Sequence, residues 1–254
     1  MKIHTVGTCA GTEHMPTRQH ACCVFEINEK FYCFDAGSGC SRTAWLSGLP
    51  IPKFENIFLS HPHRDHIGGL PDLFWNIRKL VTMRELTYPE KITLYMPSPI
   101  VWKFIKGFMA IDWDNKIQIV PEYYADGVIF EDENIKIEAR HNLHLGEPQD
   151  GKYASYSFRI TAEGKKFIYS GDVRRYTDMG DWLEDCDLLM METGHHKASD
   201  VCAGIRADGL GVKEIMFVHS GREILNDYNG AKERAEAAWG KPVIIAEDGN
   251  TYTF

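Results

Sequence analysis

The sequence predicts a mixed α/β (α+β) protein, and two observations predict it. Short strand-like runs recur from Lys2 to Ala246, several of them ending in Gly, Asp or His. Stretches with helical apolar spacing fall between them in both halves of the chain. At 254 residues the chain is long enough for one large domain or two small ones. No linker, internal repeat or low-complexity tract interrupts it, so 1–254 reads as a single domain made of two similar halves.

Taken in order, residues 2–6 form the first expected strand, closed by Gly7, and 8–20 a polar loop. The run 21–27, turned by Asn28-Glu29-Lys30, pairs with 31–35 as a hairpin. Asp35 then ends a strand, and Gly37 and Gly39 permit close backbone approach. A helix is expected over 41–49, a short buried strand over 57–59 and a helix over 70–80. Residues 92–96 read as a strand, closed by Pro97 and Pro99. The stretch 100–110 reads as a helix whose aromatic face, with Trp102, Phe104 and Phe108, is expected to pack in the core. Short strands follow at 117–120 and 127–130, and 135–140 alternates as a half-buried strand. Strands are expected at 154–160, 167–172, 187–192, 212–218 and 242–246, with a helix over 226–239.

The chemistry gathers on the loop after the 57–59 strand. His61, His63, Asp65 and His66 fall within six residues, and imidazole and carboxylate suit zinc and its neighbours iron and manganese. His61 and His63 point the same way in extended backbone. Asp65 and His66 reach a second point once the chain turns, which suits two metals roughly 3.5–4 Å apart. Later strands end in further candidates: His141 and His144, Asp172, Glu192 with His195, and His219.

This His-x-His-x-Asp-His pattern resembles the metal-binding signature of the metallo-β-lactamase superfamily. The resemblance implies a four-layer αββα sandwich with a dinuclear site at one edge. It places His61, His63 and His144 on one metal, Asp65, His66 and His219 on the other, and Asp172 between them as a bridge. His141 competes with His144, and the Asn-x-His-Leu-like turn of similar sequences favours His144. Asp35 is either a turn-former or, as the resemblance implies, a brace for the metal loop. Glu192 and His195 are either a polar loop or a proton-donating pair beside the metals.

Two divalent ions, zinc with manganese or iron as alternatives, would then generate a bridging hydroxide at neutral pH. Asp65 would orient it, and His195 or Glu192 would protonate the leaving group. The look is closest to the tRNase Z and phosphodiesterase-like branch, carried by Gly7-Thr8, Pro16-Thr17-Arg18, Asp35-Ala36-Gly37 and His219-Ser220-Gly221-Arg222. Arg222 would meet a phosphate. A small or nucleotide-derived phosphodiester is the first expected substrate. A lactone or carboxylic ester and a tRNase Z-like RNA substrate are the alternatives, and a metal-binding scaffold is the non-enzymatic one.

Composition bounds these readings. Apolar residues make up 44% and charged residues 25%, ordinary for a protein with a real core. The net charge of −8 argues against a broad basic surface, so a small-molecule substrate is favoured over nucleic acid. The lysines and arginines at 152, 159, 165, 166, 174 and 175 read as a solvated face. Seven cysteines without a CxxC pair read as reduced, mostly buried thiols in a cytoplasmic protein. No signal peptide and no membrane span is expected, and a homodimer is compatible with the sequence.

Overall fold

The computed structural model describes residues 1–87, 89–110 and 117–254. Their packing divides the chain into two compact units. The first comprises residues 1–8, 13–124 and 247–254, the second residues 9–12 and 125–246.

In the first unit the strands are β1 (Lys2–Gly7), β2 (Cys22–Ile27), β3 (Lys30–Phe34), β4 (Asn56–Phe58), β5 (Lys91–Met96), β6 (Gln118–Tyr123) and, from the end of the chain, β14 (Asn250–Thr253). They form one sheet in the order β14-β1-β2-β3-β4-β5-β6. Pairing is antiparallel from β14 to β3 and parallel from β3 to β6. The parallel strands need crossovers, which α1 (Cys40–Leu46), α3 (Leu70–Arg84) and α4 (Pro99–Met109) supply. One sheet face meets these helices through Val24, Cys33, Ile57 and Leu94 against Ala44, Leu73, Phe74, Ile77 and Ile105. The alternate residues are buried as well, and form an aromatic ladder across four strands. Phe25–Phe34, Phe34–Phe58 and Phe58–Tyr95 have ring centroids 5.2, 5.2 and 4.6 Å apart.

The second unit repeats the pattern. Its strands are β7 (Gly127–Glu131), β8 (Ile135–His141), β9 (Tyr156–Ala162), β10 (Lys165–Tyr169), β11 (Cys186–Thr193), β12 (Val212–Ser220) and β13 (Ile244–Ile245). β7 to β10 pair antiparallel and β10 to β13 parallel. Helices α5 (Ala198–Ala207) and α7 (Tyr228–Trp239) cover one face, packing Val201, Cys202, Ile205, Ala231 and Ala235 on Leu189, Met191, Ile215 and Phe217. β11 lies between two parallel neighbours, and the apolar run 188–191 reflects burial on both faces.

Several features depart from the expectations above. The short helix α2 (Arg64–Ile67), helix α5, a 3₁₀ stretch over Tyr176–Glu184 and strand β14 were not anticipated. The 226–239 helix starts two residues late, as α7, and a separate short helix α6 (Arg222–Asn226) precedes it; between them the Asp227 carboxylate accepts the Gly230 amide at 3.0 Å and starts α7. The last expected strand shrinks to two residues. On the aromatic face of α4 Trp102 packs against the core partly buried, but the other two aromatics do not. Val101 and Ile105 do, while Ile100, Phe104 and Phe108 are each more than half exposed.

All seven cysteines are buried free thiols. Burial pushes Cys186 and Cys202 up to about 12, and hydrogen bonding to Cys33 and Cys40 together with burial raises Cys22. A neutral, inaccessible thiol is a poor nucleophile. Ellman's reagent at pH 8 should therefore find no fast-reacting thiol in the native protein and all seven after denaturation. A rapid native reaction would contradict this burial.

Candidate metal centre

Within each unit the candidate residues stand at the carboxyl ends of parallel strands, where open α/β sheets leave room for ligands. In the first unit β3 and β4 are neighbours, so Asp35, just past β3, reaches the loop that follows β4. Asp35 has no exposure and a left-handed backbone, φ 58°. A non-glycine residue there is strained by roughly 1–3 kcal/mol, so the surroundings must compensate. Its carboxylate accepts the Ser60 amide at 2.7 Å and the Ser60 hydroxyl at 2.8 Å, and meets His66 Nδ1 at 2.7 Å.

These bonds set the protons on the histidines. Ser60 has one hydroxyl proton and gives it to Asp35, so towards His61 Nδ1, 3.0 Å away, it can only accept. His61 therefore carries its proton on Nδ1, as does His66 against Asp35. In each ring Nε2 keeps its lone pair for a cation. His61 and His66 are fully buried, and their ring centroids lie 4.0 Å apart. His63 is exposed, with its ring centroid 4.6 Å from that of His61. Asp65 lies in the single turn of α2, and its Oδ2 is 3.5 Å from His66 Nε2. The loop thus separates into His61 and His63 on extended backbone and Asp65 and His66 on a turn, as its spacing suggested. Glycines let the two loops close on one another. A Cβ on Gly37 would overlap the Asp65 carbonyl, and one on Gly69 the Gly37 carbonyl.

In the second unit Asp172 is the centre. It is buried, and its two oxygens face different histidines: Oδ2 lies 3.7 Å from His144 Nε2, and Oδ1 lies 3.4 Å from His219 Nδ1. The Asn142 side chain shapes the turn that presents His144, accepting the His144 amide at 3.1 Å and donating to Ser157 at 3.2 Å. His141 is turned elsewhere. Its Nδ1 meets Asp126 at 2.6 Å and its ring stacks on Tyr153 at 3.7 Å. His219 sits in a bulge: Glu192 faces Val218 and Thr193 faces Ser220, leaving His219 as the extra residue. It adopts φ 52°, and a bulge of this kind re-aims a side chain at the end of a strand.

Glu192 has no exposure and sits behind His195 and His196. It accepts the His195 amide at 2.9 Å, and its Oε1 lies 3.1 Å from His195 Nδ1 and 3.3 Å from His196 Nε2. The His195 ring is 46% exposed, with Nδ1 3.8 Å from Asp172 Oδ2. Asp172, Glu192 and His195 each offer a ligand atom within 4.8 Å of one another. Sequence reasoning missed Ser60, His196 and Asp178, which accepts the Leu143 amide at 3.2 Å. Only Ser60 carried a usable signal, its place directly before the first histidine. The donor set is right for a borderline divalent cation: imidazole nitrogens, those of His61 and His66 being Nε2 atoms with anchored Nδ1 protons, and carboxylates.

The family described as a beta-lactamase superfamily domain matches residues 33–220. A Ribonuclease Z of Nitrosopumilus maritimus is 24% identical over 98% of each chain. The crystal structure of human tRNase Z, short form, covers 100% of this chain and 99% of its own, with a TM-score of 0.75 at 21% identity. The metallo-beta-lactamase fold protein YhfI of Bacillus subtilis covers 99% and 98%, with a TM-score of 0.77 at 18% identity. These likenesses give the chain the α/β fold class expected from its sequence.

Two substitutions test the supports. Asp35→Ala removes the anchor for the His66 proton and for Ser60. It should weaken retained metal ~10–100-fold, read by metal analysis after dialysis against graded chelator. Gly194→Ala would place a methyl 2.7 Å from His219 Nδ1. It should weaken metal retention while leaving the melting temperature within a few degrees, whereas an unchanged metal content would show that His219 placement does not matter.

Proposed function

Because this chain belongs to the beta-lactamase superfamily, we propose that its two units act as one catalytic domain, a dinuclear metal-dependent hydrolase of phosphodiesters. His61, His63 and His144 would hold the first ion and Asp65, His66 and His219 the second, with Asp172 placed to serve both. The reading rests on Asp172, whose two oxygens address separate histidines, the disposition a bridging carboxylate needs.

Two divalent ions, zinc first and manganese or iron as alternatives, would supply Lewis acidity and a water acidified towards a pKa of ~7 as nucleophile. Asp65, partly exposed on its helical turn, would be the carboxylate to orient such a water and accept its proton. His195 is the group for the leaving oxygen, since it combines exposure with a buried carboxylate behind Nδ1. Glu192 favours the protonated ring and leaves Nε2 to donate. Glu192 itself acts through His195. Arg222, exposed and three residues after His219, meets a phosphate oxygen.

A small or nucleotide-derived phosphodiester is the preferred substrate. The names of the relatives favour a second reading, cleavage of an RNA phosphodiester. Against it stand the net charge of −8 and the pairing of the cations on the second sheet. Arg159 is bound to Glu138 at 2.8 Å, Lys213 to Asp187 at 2.7 Å, and Lys166 to Asp185.

Zinc-loaded protein should carry two ions per chain and hydrolyse bis(p-nitrophenyl) phosphate in preference to a lactone or carboxylic ester. Asp172→Asn and His219→Ala should each cut kcat by about 10³-fold or more and lower the metal content below two. Protein that binds no metal, or that cleaves only carboxylic esters, would sink the reading. Efficient 3′ cleavage of precursor tRNA would select the second one.

A further inference from the structure

The exposed stripe of α4 stands beside the histidine loop. Between them lies a cleft of about 440 Å³, a volume in the range of small-ligand pockets (~300–1,000 Å³). Pro62, Arg64 and Ile67 line it from the loop, Ile100 and Phe104 from α4, and Ser38 adds a hydroxyl. Ile100 is 57% and Phe104 51% exposed, on a helix whose Val101 and Ile105 already satisfy the core. Large apolar groups left in water beside a concave surface mark a binding face. The Arg64 side chain has no ion-pair partner among the described residues, and Arg64 lies between His63 and Asp65 in the chain. An apolar slot with one cation at its rim is complementary to a flat ring joined to an anion. Its size suits a ring rather than a helix of another protein.

We propose that this cleft is the specificity subsite for the planar aromatic group of the substrate, with the ring against Phe104 and Ile100 and its neighbouring negative charge on Arg64. The assignment rests on the phosphodiesterase reading and narrows it to aryl- or nucleobase-bearing esters. Phe104 supplies the face for stacking, and Arg64 the charge.

The test compares phenyl p-nitrophenyl phosphate with methyl p-nitrophenyl phosphate, which share a leaving group and a charge. The metal-loaded wild type should prefer the phenyl ester. Phe104→Ala should lower kcat/KM for it about tenfold, mainly through KM, and leave the methyl ester within about twofold. Phe104→Leu should fall between, and Arg64→Gln should weaken both esters by a similar factor. Equal effects of Phe104→Ala on the two esters, or none, would overturn the assignment while leaving the hydrolase reading intact. So would a shift from dimer to monomer in sedimentation with ester preference unchanged, since the cleft would then be a face between copies of the chain. If the wild type cleaves neither ester, the phosphodiesterase reading fails. Calorimetry then decides the cleft separately. Phenylphosphonate binding more tightly than methylphosphonate, with the difference lost in Phe104→Ala, supports it, and equal binding overturns it. An unchanged melting temperature for Phe104→Ala shows that the exposed ring is not holding the fold.

Discussion

A carboxylate shut away from water holds the histidine loop in place. Asp35 has no exposed surface, and burying an isolated charge there would cost many kcal/mol. The cost is offset because every direction around it is used: the Ser60 amide and hydroxyl, and the His66 ring, all lie within 3.0 Å. In return Asp35 determines which ring nitrogen of His66 is protonated and, through Ser60, does the same for His61. Two lone pairs are thereby presented before any cation arrives. That preorganisation removes a reorientation step that flexible histidines would have to make.

The same economy is visible in the backbone. Both units place their special residues where parallel strands end, and both hold one non-glycine residue in the left-handed region there, Asp35 at φ 58° and His219 at φ 52°. Strain of this kind persists only where neighbours overdetermine it. For Asp35 the determinant is hydrogen bonding, together with its own amide donating to Phe58 at 2.8 Å. For His219 it is a bulge between two buried parallel strands, flanked by Gly194 and Gly221, where an added Cβ would meet the His219 ring and the Thr193 carbonyl respectively. The glycines there are packing requirements rather than hinges.

Charge and apolar surface are distributed unevenly around these residues. Several of the arginines and lysines on the second sheet are committed to acids, and Arg140 and Arg159 also stack on Trp182, at 4.4 and 5.0 Å. Such cations are held by intramolecular partners. The first unit, in contrast, leaves apolar rings of α4 in solvent.

Much of this was legible without coordinates. The density of His61, His63, Asp65 and His66 announced a candidate cation site, because few other functions need those groups at that spacing, and strand ends marked by Asp35, Asp172 and His219 stood out for the same reason. Apolar alternation located most strands, since burial on a pleated surface imprints a period of two. Local pattern failed where distant partners decide. β14 is a strand because β1 offers an edge to it, and α4 turns Phe104 and Phe108 outward because Val101 and Ile105 already fill the space against the sheet. The choice between His141 and His144 was likewise undecidable from alternation. Asp126 and Tyr153 claim the one and Asn142 aims the other at Asp172, and these contacts join residues that only folding brings together. The sequence by itself determined the kind of chemistry, because ligand type and spacing are local. Tertiary structure alone decided which imidazole nitrogen is free, which histidine faces Asp172 and which face stays open, because each depends on partners far away in the chain.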